Sequence, residues 1–174
     1  MSYPPCGAVR RRLLLAAAGG CVGLLPHLST AQAKVLLSVT GLVDPGNTPA
    51  GTDFDLATLD ALPQHSFVTA TPWFTDKRRF SGPLLRNVLA AAGAKPQARL
   101  LLAVALNNYK IEMPVDDSRR YDVIVASRLD DKPMSVRDKG PLFIVYPFHE
   151  HAKLRSERYY SRSAWQLRRL ELKA

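Results

Sequence analysis

Phe80-Ser81-Gly82-Pro83-Leu84-Leu85-Arg86-Asn87-Val88-Leu89-Ala90-Ala91-Ala92-Gly93-Ala94 is the stretch from which the rest of the chain is read. Leu84, Leu85, Val88, Leu89 and Ala92 fall at helical spacing and form one apolar stripe, the mark of a helix laid on a core. The reading predicts a helix from about Pro83 to Ala92. Ser81 is placed to cap it, Pro83 suits its first turn and Gly93 its C-terminal cap.

Working outward, almost everything else reads as strand and turn. On the N-terminal side, Val35 to Val43 alternates and is followed by the turn Asp44-Pro45-Gly46-Asn47. Phe54 to Leu62 carries Leu56, Leu59 and Leu62 at helical spacing, and Ser66 to Thr71 is a strand ending at Pro72-Trp73. On the C-terminal side, Ala98 to Ala105 and Lys110 to Val115 form a hairpin through Asn107-Asn108, residues that tolerate positive φ. Asp116-Asp117 opens a short turn or helix, Asp122 to Ala126 is a strand, and Leu129 to Pro133 turns the chain. Leu142 to Tyr146 follows the turn at Lys139-Gly140-Pro141, and Trp165 to Leu172 is the last strand. The fold class expected is α+β, β-rich, with a mixed sheet and a few helices.

The first 33 residues have a different composition. Arg10-Arg11-Arg12 precede an apolar run from Leu13 to Leu25, and Ala31-Gln32-Ala33 follows as a small-residue cleavage site. That order is the secretory signature, and the run is too short to span a bilayer. The expected organisation is a signal peptide over 1–33 and one domain over 34–174, periplasmic or secreted. The arginines also permit a twin-arginine route. Val9 stands where Ser or Thr is expected, so the general secretory route fits better. Cutting after Ala33 removes three arginines and no acid, so the formal net charge falls from +9 to +6. Both cysteines, Cys6 and Cys21, leave with the leader, so the mature chain is cysteine-free, with no disulfide, thiolate nucleophile or thiolate metal ligand. Export argues against nucleic acid as partner of the basic surplus. From Lys153 to Lys173 seven Lys or Arg stand against two Glu, a stretch that is either a solvated basic face or an anion site.

Seven blocks in order carry a resemblance: Val39 to Val43, Phe54 to Pro63, Val68 to Thr71, Phe80 to Ala94, Ala105 to Asp117, Asp138 to Phe148 and Ser161 to Leu172. Together they resemble the sulfite-oxidase-type molybdopterin-binding domain, with its G-x-x-L helix, Pro-ended hairpin, G-x-P-L strand and terminal strand bearing Trp. The resemblance implies that fold, and molybdopterin as a possible cofactor. It also implies a molybdenum-ligating cysteine near the end of the strand before the G-x-x-L helix. Phe67 to Trp73 occupies that place without a cysteine, and its hydroxyls cannot replace a soft thiolate at neutral pH.

The same resemblance puts Thr71, Trp73, Tyr109 and Arg162 forward as cofactor- or ligand-binding residues. Arg162 matches a basic residue before Trp165 that helps hold the pterin phosphate, although Ser161-Arg162-Ser163 also reads as a solvated edge beside a core Trp. Trp73-Phe74 beside Lys77-Arg78-Arg79 could stack on and neutralise an anionic ring, or could be a packed Trp next to a solvated turn. His149 and His151, two apart on a strand with Glu150 opposite, are candidate metal ligands with His65 as a third, or an exposed polar loop. There is no nucleophile elbow, phosphate loop or dinucleotide fingerprint. Three readings follow. The first is a binding module for a small anionic ligand or a partner protein, without molybdenum redox activity. The second is a pterin oxidoreductase without a cysteine ligand, and the third an accessory protein of a membrane sensor.

Overall fold

The computed structural model describes Met1 and residues 33–174. The expected signal peptide, its cleavage site and both cysteines fall almost wholly outside the described residues. The chain divides into two compact units, Met1–Ala31 and Gln32–Ala174, and every element below belongs to the second. Among the described residues no helix is long and apolar enough to cross a membrane.

In chain order the elements are β1 (Leu37–Gly41), β2 (Gly51–Phe54), α1 (Leu56–Ala61), β3 (Gln64–Thr71), β4 (Phe74–Pro83) and α2 (Leu85–Ala91). Then come β5 (Leu100–Ala105), β6 (Lys110–Pro114), α3 (Asp117–Arg120), β7 (Ile124–Ala126), β8 (Arg128–Leu129), β9 (Lys132–Pro133) and β10 (Phe143–Val145). A 3-10 turn at Ala152–Leu154, α4 (Glu157–Arg162) and β11 (Leu167–Lys173) complete the chain. A five-stranded sheet runs β2-β1-β11-β5-β6, a four-stranded one β3-β4-β8-β9, and β7 pairs with β10. Only β1 and β11 pair in parallel among these, so the sheet is mixed, as expected from the sequence. The core between the sheets is aromatic at its centre, where Phe80, Phe143, Tyr146 and Phe148 are fully buried.

The apolar stripe on α2 is buried at Leu85, Val88, Leu89 and Ala92. The start of α2 differs from the expectation. Ser81 and Pro83 belong to β4, which runs straight into the helix; the capping position is Leu84, and no side chain caps it. The first helical N–H is satisfied instead by the chain entering β7, Leu85 N–H donating to Val123 O at 2.8 Å. Gly82 lies where β4 and β7 approach most closely, since a Cβ there would stand 2.1 Å from Val125 O. Gly93 takes φ +68 at the end of α2, the left-handed conformation the expected cap needs.

Among the elements the sequence reading missed, β2 precedes α1, Lys77-Arg78-Arg79 is part of β4 and not a solvated turn, and Ser161-Arg162, read as a solvated edge, lies in α4. His149 and His151 follow β10 in a turn, so the strand geometry expected of them does not exist.

Candidate functional site

A cleft of about 520 Å³ opens where the β3–β4 turn, the β5–β6 turn and α4 meet. Its walls are Trp73 and Pro72 from the first, Asn107 and Tyr109 from the second, and Tyr160 and Trp165 from α4 and the segment after it. The volume lies within the range of small-molecule sites.

Each wall has a local cause. Thr69 and Thr71 pair across β4 with a register slip between them, and the chain turns at Pro72-Trp73. Trp73 then packs edge-on against Phe143, Tyr160 and Trp165, with centroids 5.3, 6.1 and 5.7 Å away. The β5–β6 turn is an Asn turn: Asn107 Oδ1 accepts the Tyr109 N–H at 3.0 Å, and Asn108 takes φ +66. This sets Tyr109 at the mouth, 58% exposed.

α4 has two faces. Glu157, Tyr160 and Ser161, at helical spacing, line the cleft. Tyr159 and Arg162, three apart, turn the other way into a polar cluster. There Asp117 accepts hydrogen bonds from the Tyr146 hydroxyl at 2.7 Å and from Arg162 at 2.8 Å. Arg162 is only 20% exposed and Asp117 9%. Tyr146 is held above the usual phenol range by burial, reinforced by Asp117. Tyr121 and Tyr159 face each other hydroxyl to hydroxyl at 3.4 Å. That bond, with Lys153 beside it, lowers the pKa of Tyr121, and the same bond together with burial raises that of Tyr159. The pair of Arg162 with Asp117 fastens α4 to α3, and with it one wall of the cleft.

Of the four residues put forward, Trp73 and Tyr109 come together on the cleft, while Thr71 and Arg162 are not among its lining residues. Thr71 is buried at the end of β3, its hydroxyl without a hydrogen-bond partner. One guanidinium nitrogen of Arg162 is bonded to Asp117. The cations after Trp73 also leave the cleft: Arg78 pairs with Asp130 and lies 5.3 Å from the Phe74 ring. Lys139 stacks on Trp165 at 3.8 Å, and burial lowers its pKa. Glu157 is thus the charged residue of the lining. His149 and His151 flank the Glu150 carboxylate at 3.5 and 3.9 Å, and their rings rest on Phe67 and Tyr121. His65 meets the Phe67 ring edge-on at 6.0 Å, and no group of three metal-ligating residues occurs among the described residues.

Glu157, Tyr160, Ser161 and Ser163 were not anticipated, because a six-residue helix is too short to show a period. Ser156 followed by Glu157 is the one start signal that was available.

A molybdenum-bound pterin asks for a thiolate and for cations at its phosphate. The cleft offers aromatic rings, hydroxyls, an amide and one carboxylate. A neutral threonine hydroxyl at Thr71 is a poor ligand for that metal, and the guanidinium groups of Arg78 and Arg162 are paired with Asp130 and Asp117. The donor set fits a flat ring and does not fit the metal or the phosphate.

Residues 25–154 match the family described as "Oxidoreductase molybdopterin binding domain". The fold is similar to that of the sulfane dehydrogenase SoxCD from Paracoccus pantotrophus, at TM-score 0.59 and 19% identity, over 78% of this chain. The chain spans 37% of the length of that solved chain. No curated protein matches it.

Proposed function

The chain belongs to the oxidoreductase molybdopterin-binding-domain family, and from that premise we propose that it is a binding module that holds a flat ring ligand in the aromatic cleft without molybdenum redox chemistry. The observation that carries this reading is the composition of the lining: Trp73, Tyr109, Tyr160 and Trp165 surround one space, with Glu157 and Asn107 as polar partners. Aromatic walls stack on any π-face, and a stacked ring contributes about 1–3 kcal/mol. A carboxylate and an amide at the same site favour ring N–H groups over an anion. The leader over 1–33 supports action outside the cytoplasm, which cell fractionation tests.

Tryptophan fluorescence of the full chain, titrated with the pteridine lumazine, tests the ligand class. Quenching that saturates, with affinity falling about tenfold or more in Trp73→Ala, is the expected result. Equal affinity in Trp73→Ala would sink the reading.

A further inference from the structure

We propose that the groove beside the parallel β1–β11 pair is a second binding site, for an organic phosphate whose apolar body rests on exposed aliphatic side chains. It shares no lining residue with the aromatic cleft. Its volume is about 600 Å³; Lys34, Arg168 and Arg169 line it, and none of its lining residues is acidic.

A strand normally sends consecutive side chains to opposite faces. Here the β5–β11 register slips between Leu167 and Arg169, so three residues of β11 span Ala105 and Val104. A bulge of this kind re-aims side chains, and it accounts for two adjacent arginines lining one groove. Arg168 is braced from behind, its Nε donating to Ala105 O at 3.1 Å and a terminal amine to Asn108 Oδ1 at 2.5 Å. Arg169 Nε is buried with no hydrogen-bond partner. A guanidinium N–H taken out of water without an acceptor is unfavourable, and Arg169 is on the groove lining beside Lys34 and Arg168, where an anion would offset the gathered positive charge. Three cations with no carboxylate among them suit a doubly charged phosphate better than a single carboxylate.

The same groove explains three unusual exposures. Val35, Leu106 and Val136 are 49%, 45% and 52% exposed, and all three line it. Grouped exposed aliphatics beside cations form a surface for a ligand with an apolar body and an anionic head.

Calorimetric titration of the full chain with phenyl phosphate, inorganic phosphate and benzyl alcohol tests this. Phenyl phosphate is expected to bind tighter than inorganic phosphate, and benzyl alcohol not measurably. Arg169→Gln is expected to weaken phenyl phosphate at least about tenfold. Lys34→Gln, on an exposed residue, is expected to weaken it several-fold and serves where Arg169→Gln does not fold. Trp73→Ala leaves phenyl phosphate binding unchanged, which separates this site from the aromatic cleft. The proposal is overturned by no binding of phenyl phosphate, by equal affinity for inorganic phosphate, or by equal affinity in the charge variants. Loss of binding in Trp73→Ala overturns it too.

Discussion

Arg162→Gln tests whether this arginine is a fastener or a ligand group. In the wild-type protein its guanidinium meets Asp117 at 2.8 Å, with the two side chains 20% and 9% exposed. Removing one partner of a buried pair costs about 3–5 kcal/mol, because the other charge is left uncompensated. Asp117 keeps the Tyr146 hydroxyl at 2.7 Å, and Arg162 retains some contact with water, so the lower end applies, about 3 kcal/mol. For a domain of this size that corresponds to an unfolding midpoint lower by about 10 °C. Circular dichroism melts at pH 7 measure it directly. Combining Arg162→Gln with Asp117→Asn should cost clearly less than the sum of the two, since they remove the same bond. An Arg162→Gln midpoint within about 2 °C of wild type would refute the reasoning, and would return Arg162 to the pool of ligand-facing cations.

Asp60 and Arg128 form a two-pronged pair at 2.7 and 2.6 Å that ties α1 to β8. Arg128 holds the Asp60 carboxyl below its usual range, so the pair stabilises the fold above the unfolded-state pKa and stops doing so as pH falls through the folded one. Asp60→Asn should therefore cost about 1 kcal/mol in urea melts at pH 7, with the gap to wild type narrowing progressively as pH falls below about 4; a gap that does not narrow as pH falls contradicts it. Gly82→Ala drives a Cβ to 2.1 Å from Val125 O and should cost about 3 kcal/mol by the same melts, a loss under 1 kcal/mol being too small for that contact. Phe143→Ala empties the middle of the aromatic core, where Trp73 and Phe80 both meet the ring edge-on, and should cost about 3–5 kcal/mol; a smaller loss would mean the core collapses around the gap.

The parts of the fold legible from sequence are those whose signal is local. The α2 stripe, the Asn107-Asn108 turn and the Asp130-Asp131 turn each need only neighbouring residues, and the positive φ of Asn108, Asp130 and Asp131 follows from side-chain chemistry. β4 was hidden because its exposed half, Phe74 to Arg79, is polar and charged, and its partners β3 and β8 supply the pairing. α4 was hidden by its length and because its two faces answer to two distant clusters. The cleft was half visible. Trp73 and Tyr109 stand at turns that any reading singles out, whereas the inward turn of Arg162 depends on Asp117, 45 residues away. Ser81 illustrates the opposite error, a good capping residue whose place is taken by the neighbouring strand's carbonyl.

Metal and pterin content of the protein purified from its native host tests the central claim most directly. Molybdenum well below one atom per chain is the predicted result, since the proposed binding module holds a ring ligand between Trp73, Tyr109, Tyr160 and Trp165 and the chain offers no thiolate there. One molybdenum per chain, retained with a pterin through purification, would contradict it.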